Sequence, residues 1–190
     1  MRYFILTLAV LFCFSAFAQN ADKLYEQGKA LYDKKHYEAA IPKLKAAAEK
    51  GHKKAQYRLG HCYDKGKGIT EDDAKAFLWY SKSASQNYAK AQYQLGRCYK
   101  KGEGTKVDLA KAIEYFKKAA KQDNADAMYA LGKCYLKGQG VALDEKMAKS
   151  WLQKAIRHDK DGKDILKKIR EDAAEGDKDA VKILSLLGKK

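Results

Sequence analysis

The reactive side chains of this chain come in pairs set 36 residues apart: His61-Cys62, Arg97-Cys98 and Lys133-Cys134. A cysteine with no evident partner raises the question of an unpaired thiol or a metal ligand, so these positions are the first candidates for chemistry. Their surroundings favour a plainer reading. No Cys-x-x-Cys and no cluster of histidines accompanies them, so a metal site is not expected. His36, His52, His61 and His158 fall at unrelated positions, and none has an evident nucleophile partner. H-E-x-x-H, the P-loop, G-x-S-x-G and S-x-x-K are all missing. The expectation is a protein that is not an enzyme and uses no cofactor.

The elements that must carry these pairs are legible from repetition. A-Q-Y-R-L-G-H-C-Y starts at Ala55, A-Q-Y-Q-L-G-R-C-Y at Ala91 and A-M-Y-A-L-G-K-C-Y at Ala127, each leading into Gly-x-Gly (Gly66/Gly68, Gly102/Gly104, Gly138/Gly140). A fixed period in this range means stacked supersecondary units. Ala55, Leu59, Cys62 and Tyr63 share one face of a helix, and so do their counterparts. Gly60, Gly96 and Gly132 interrupt good helix formers, which implies close approach by a second helix. That second helix opens near Asp72, Asp108 and Asp144 and buries Ala76, Trp79, Tyr80 and Ala84 or their counterparts. Asn87 and Asp123 close the first two copies, where a left-handed residue is wanted. Equivalent helices in a stack lie about 8–10 Å apart. A disulfide needs Cα atoms within about 7 Å, so the cysteines are expected to be buried thiols.

Residues 1–18 read as a cleavable leader: Arg2, an apolar stretch from Phe4 to Phe14, then Ala16-Phe17-Ala18. The apolar part is too short to span a bilayer. Cys13 lacks the small residues that precede a lipidated cysteine. The expected destination is therefore exported, periplasmic or secreted, with no membrane span after cleavage. The net charge of +15 is spread along the chain and biases encounter towards acidic partners. Nucleic acid is not expected, since an exported chain with no recognised binding module would depend on charge alone.

The pattern A-x-x-x-L-G-x-x-Y-x-x-G-x-G resembles the Sel-one-like repeat (SLR), a relative of the tetratricopeptide repeat. In the second copy the match runs through Ala91, Leu95, Gly96, Tyr99, Gly102, Gly104, Asp108, Lys111, Ala112, Lys118, Ala119 and Ala120. Ile69 and Thr105 stand where the family has Val, and Met147 where it has Lys. The resemblance implies an all-α fold, an α/α solenoid of stacked antiparallel hairpins whose first helices line a concave face for protein partners. It divides the chain into a leader (1–18), a tetratricopeptide-like hairpin (22–52), three SLR repeats (53–88, 89–124, 125–160) and capping helices (161–190). Some relatives bind or slowly hydrolyse penicillins and carry paired cysteines in each repeat; this chain has one per repeat, so that activity is not carried over. A cell-envelope hydrolase of that type is the alternative to an exported, non-enzymatic adaptor.

If the constant letters of the repeat hold the stack, binding falls on those that vary. On the first helices these are Gln56, Arg58 and His61, then Gln92, Gln94 and Arg97, then Lys133. His61, Arg97 and Lys133 share one repeat position and are expected to form a basic row for acidic groups on a protein or an acidic cell-envelope component; an ordinary solvated stripe is the alternative. Tyr57, Tyr93 and Tyr129, beside Leu and Cys at helical spacing, are expected to pack between repeats. The segment from Asp159 to Asp164 has two acids of a calcium loop but lacks the third. It also has Arg170 where the loop needs Glu, so it reads as a turn and helix cap.

Overall fold

A computed structural model describes residues 20–159 and 164–188. The proposed leader, Cys13 and the middle of the calcium-like segment lie outside the described residues. Among the described residues the chain is all helix with no strand, and the fold is a stack of antiparallel helical hairpins of the α/α-solenoid class. The helices are α1 (20–33), α2 (Tyr37–Glu49), α3 (Lys53–Asp64), α4 (Asp73–Ser85), α5 (Ala89–Lys101), α6 (Leu109–Ala120), α7 (Ala125–Lys137), α8 (Glu145–His158), α9 (Asp164–Ala174) and α10 (Lys178–Leu187). Two compact units part between Tyr88 and Ala89.

In the first unit, α1 to α4 close over Tyr25, Ala40, Leu44, Ala47, Ala55, Leu59 and Cys62. In the second, α5 to α8 enclose Ala112, Phe116, Ala127, Leu131 and Cys134. A further cluster of Leu136, Leu152, Ile169, Ala180 and Ile183 seats α9 and α10. Lys182 bonds Glu145 at 2.8 Å, and Lys137 pairs with Asp179, fastening α10 to the ends of α8 and α7.

The helix boundaries follow local chemistry. Asp72, Asp108 and Asp144 each accept a backbone N–H three residues on, from Lys75, Lys111 and Met147, all at 2.9 Å, which satisfies a donor the helix leaves orphaned. Asn87 and Asp123 are left-handed, at φ 57° and 58°. The repeat glycines mark where the two helices of a hairpin meet. A Cβ on Gly60 would stand 2.9 Å from the Tyr80 ring, on Gly96 2.6 Å from Phe116, and on Gly132 2.6 Å from Leu152. The close approach expected from the sequence is there in all three repeats.

Two of the Gly-x-Gly loops press on a helix start in the same close way. Gly68 has φ 69°, and a Cβ on it would come 2.4 Å from the Tyr37 carbonyl carbon at the start of α2. Gly140, at φ 72°, presses in the same way on Leu109 at the start of α6. The first loop thereby fixes Lys67 beside α2.

Candidate functional site

Cys62, Cys98 and Cys134 are all buried, at 0%, 5% and 2% exposure. Burial pushes the Cys62 thiol up to about 11 and raises Cys134 as well. A thiol that resists ionisation is a poor nucleophile. Tyr57, Tyr93 and Tyr129 are half-buried and pack inside their units. The Tyr57 ring lies 6.0 Å from Tyr80 and 5.4 Å from Tyr88, and Tyr93 lies 5.9 Å from Phe116. Burial raises the Tyr129 hydroxyl to about 12.

The varying positions of the first helices divide into two groups. Gln56 and Gln92 were expected on an exposed binding face, and the structure buries both, at 5% and 3% exposure. Gln56 donates from Nε2 to the Ala48 carbonyl at 3.1 Å and accepts from Gln86 at 2.8 Å. Gln92 accepts from Gln122 at 2.7 Å. Each glutamine joins the start of its hairpin to its end, because a buried amide must find partners inside the fold. In the third repeat Met128, buried at 3%, takes the same place without an amide.

Arg58, His61, Gln94, Arg97 and Lys133 are partly exposed. In the second unit Arg97 donates to Gln94 Oε1 at 2.9 Å, and the Lys133 ammonium lies 5.8 Å from the Tyr129 ring centroid. In the first unit Arg58 and His61 both meet Tyr32 of α1. The Arg58 guanidinium carbon lies over the Tyr32 ring, 4.5 Å from its centre, and its Nη1 lies 3.7 Å from Asp33 Oδ1. Its Nε is buried with no hydrogen-bond partner among the described residues. His61 Nδ1 lies 3.0 Å from the Tyr32 hydroxyl, and Lys67 Nζ donates to that hydroxyl at 3.4 Å. Burial, reinforced by Lys67, holds the His61 imidazole below its ordinary range, against the pull of Asp64.

Tyr32 and Lys67 were not among the residues singled out from the sequence. Tyr32 comes from the atypical first hairpin, and Lys67 is the middle letter of Gly66-Lys67-Gly68, whose counterparts are Glu103 and Gln139. That change of letter between fixed glycines was the available signal for Lys67. No group of His, Cys, Asp and Glu among the described residues could hold a metal ion. At the calcium-like segment Asp159 accepts the Ile165 N–H at 2.9 Å and so caps the start of α9. No helix among the described residues is long and apolar enough to cross a membrane.

A stack of hairpins with constant packing letters and varied surface letters defines a repeat scaffold of the protein-interaction class. The Sel1 repeat model matches residues 53–88, 89–124 and 125–160, more than half of the chain, which therefore belongs to the Sel1 repeat family. Among solved structures it is similar to a Sel1 repeat protein from Oxalobacter formigenes, at 30% identity and TM-score 0.68, over 83% of this chain and 70% of that one. It is also similar to a protective antigen present in uropathogenic Escherichia coli strains. That likeness has 27% identity and TM-score 0.72, over 92% of this chain and 40% of that one. A curated relative, an exopolysaccharide production negative regulator of Rhizobium leguminosarum, is 38% identical over 63 residues. The match covers 33% of this chain and 24% of that relative, so the chain spans about a quarter of its length.

Proposed function

We propose that this chain is an exported, non-enzymatic adaptor. It binds a protein partner with an acidic surface, or an acidic cell-envelope component, through exposed residues of its first helices. The observation that carries this reading is the position shared by His61, Arg97 and Lys133. It holds a basic residue in every repeat and stays partly exposed, while the letters around it repeat as core. The net charge of +15 adds a general attraction for acidic surfaces. The part of the rhizobial relative's name that speaks of regulation suits an adaptor better than a catalyst.

Export after cleavage following Ala18, to the periplasm or beyond, belongs to the same proposal. Cross-linking mass spectrometry on the exported fraction tests it by identifying what touches α3, α5 and α7. The variant His61→Glu/Arg97→Glu/Lys133→Glu should lose that partner while keeping a native helical spectrum. Unchanged capture, or nitrocefin turnover by the purified protein that a point substitution abolishes, would overturn the proposal.

A further inference from the structure

Arg58 is held in place by the fold, yet its buried Nε donor is left unused. Its guanidinium carbon lies 4.5 Å from the centre of the Tyr32 ring, its Nε is buried with no partner among the described residues, and its Nη1 pairs with Asp33 Oδ1 at 3.7 Å, beyond hydrogen-bond length. A guanidinium offers five N–H donors in a fixed fork and stays charged at any working pH. Leaving such donors without an acceptor is costly. The acids nearby are already engaged. Asp33 bonds Lys29 at 2.9 Å, and Asp64 lies 3.3 Å from Lys65 and accepts from Tyr80.

Two further basic groups meet the same tyrosine. Lys67 lies 5.5 Å and 5.4 Å from the ring centres of Tyr32 and Tyr37 while it donates to the Tyr32 hydroxyl. The Tyr32 hydroxyl, accepting from Lys67, also lies 3.0 Å from His61 Nδ1, where it can donate to the neutral ring or accept from the imidazolium. The fold does not require this set. Where the first repeat has Arg58 and Lys67, the second has Gln94 and Glu103 and the third Ala130 and Gln139. All three repeats build the same hairpin. Arg58 and Lys67 bring two positive charges to one ring, with Asp33 3.7 Å from Arg58, and a further anion would lower their mutual repulsion.

We propose that Arg58, Lys67 and His61, gathered on Tyr32, form an oxyanion-binding site in the first unit that receives a carboxylate from an acidic protein segment. The site rests on the acidic-partner reading above and gives it a single anchor point. The Arg58 fork suits a carboxylate in bidentate fashion, with Lys67 supplying a second charge. The charged and titratable groups facing His61 are Tyr32 from α1, Arg58, Tyr57 and Asp64 from α3, and Lys65 and Lys67 from the loop. A carboxylate added to this set favours the imidazolium, so binding near pH 6 should take up protons.

The test is an NMR titration of the full chain at low salt, following the Arg58 Nε–Hε and His61 ring signals. One arm adds the peptide acetyl-Asp-Glu-Asp-Glu-amide and the other inorganic phosphate. Saturable shifts of both signals with the peptide are expected, together with a rise in the His61 titration midpoint. Arg58→Gln should weaken peptide binding about tenfold or more, the scale of a charged hydrogen bond. Arg58→Lys keeps the charge but loses the fork and should fall between. Lys43→Gln removes one charge at an exposed lysine of α2 and should change affinity less than about twofold.

Equal losses in Arg58→Gln and Lys43→Gln, or no movement of the Arg58 signal, would overturn the site. Saturation by phosphate alone would overturn its assignment to a protein segment. The adaptor reading fails separately. If Arg97→Glu/Lys133→Glu leaves a cross-linked partner in place while Arg58→Gln abolishes peptide binding, the site stands and the basic-row adaptor falls. If the double variant loses the partner and Arg58→Gln binds peptide normally, the adaptor stands and the site falls.

Discussion

Replacing Gly96 by Ala sets two opposed effects against each other inside one hairpin. Alanine in a helix interior is favoured over glycine by about 1 kcal/mol. The added methyl, however, would lie 2.6 Å and 2.7 Å from Cε1 and Cδ1 of Phe116 and 3.2 Å from the Ala112 carbonyl oxygen. Carbon atoms pack best at about 3.5–4.0 Å, so the ring must retreat by about 1 Å. Phe116 is 1% exposed and sits among Ala112, Ala119, Ala127 and Leu131, leaving it nowhere open to go. Overpacking of this kind costs about 1–3 kcal/mol. The clash should win, and Gly96→Ala should destabilise the second unit by about 1–2 kcal/mol. Gly60→Ala should be milder, since Tyr80 would be met at 2.9 Å and 3.0 Å.

The decisive experiment is a double-mutant cycle with Phe116→Ala, followed by urea unfolding and far-UV circular dichroism. Phe116→Ala alone should cost about 3–5 kcal/mol through the cavity it leaves. In that background the ring is gone, and Gly96→Ala should stabilise by up to about 1 kcal/mol. The change of sign amounts to a coupling of about 2–3 kcal/mol. A stabilising Gly96→Ala in the parent chain, or a coupling below about 0.5 kcal/mol, would refute the argument that the glycine exists for helix contact.

Four further outcomes are expected. Asp144→Ala should cost about 1 kcal/mol in urea unfolding by removing the acceptor for the Met147 N–H, and Asp144→Asn only a few tenths. Gln92→Met should cost less than about 1.5 kcal/mol in the same assay, since Met128 already fills that place, while Gln92→Ala should cost about 2 kcal/mol or more. With its thiol raised to about 11 from 9.0, native Cys62 should react with iodoacetamide about 100-fold more slowly at pH 8 than in urea; equal rates by mass spectrometry would show it open to solvent. His52 and His61 are both held below 6.5, chiefly by burial, so the unfolded chain takes up protons first. Their contribution to stability is complete above pH 6.5 and is lost as pH falls from 6.5 through the lower folded values; the urea midpoint should drop across that window, and less steeply in His61→Gln.

The hairpins were readable because each repeat restates the same backbone demand. Gly60, Gly96 and Gly132 all face a bulky side chain, and Asp72, Asp108 and Asp144 all accept the same N–H. Gln56 was misplaced because periodicity marks one stripe of a helix. In a stack, α3 packs against both α2 and α4, which widens the buried arc to include the residue next to Ala55. Its amide then reaches Ala48 of α2 and Gln86 after α4. Gln92 repeats the error for the same kind of reason, since its bond to Gln122 joins residues 30 positions apart. Repetition does not mark the cluster on Tyr32, because its members occupy unlike places: the end of α1, one face of α3 and the middle of a loop. A search for one recurring position finds rows of equivalent residues. It passes over groups that only folding brings together.

The Gly-x-Gly loops separate backbone from message. Their glycines have left-handed φ values, 58° and 69° at Gly66 and Gly68, 79° and 67° at Gly102 and Gly104, 65° and 72° at Gly138 and Gly140. Between each pair stands a cation, an anion or an amide, Lys67, Glu103 and Gln139; Lys67 reaches Tyr32, while Gln139 buries its Oε1 without a partner among the described residues. The same left-handed glycines thus carry a different charge at the middle of the loop in each repeat.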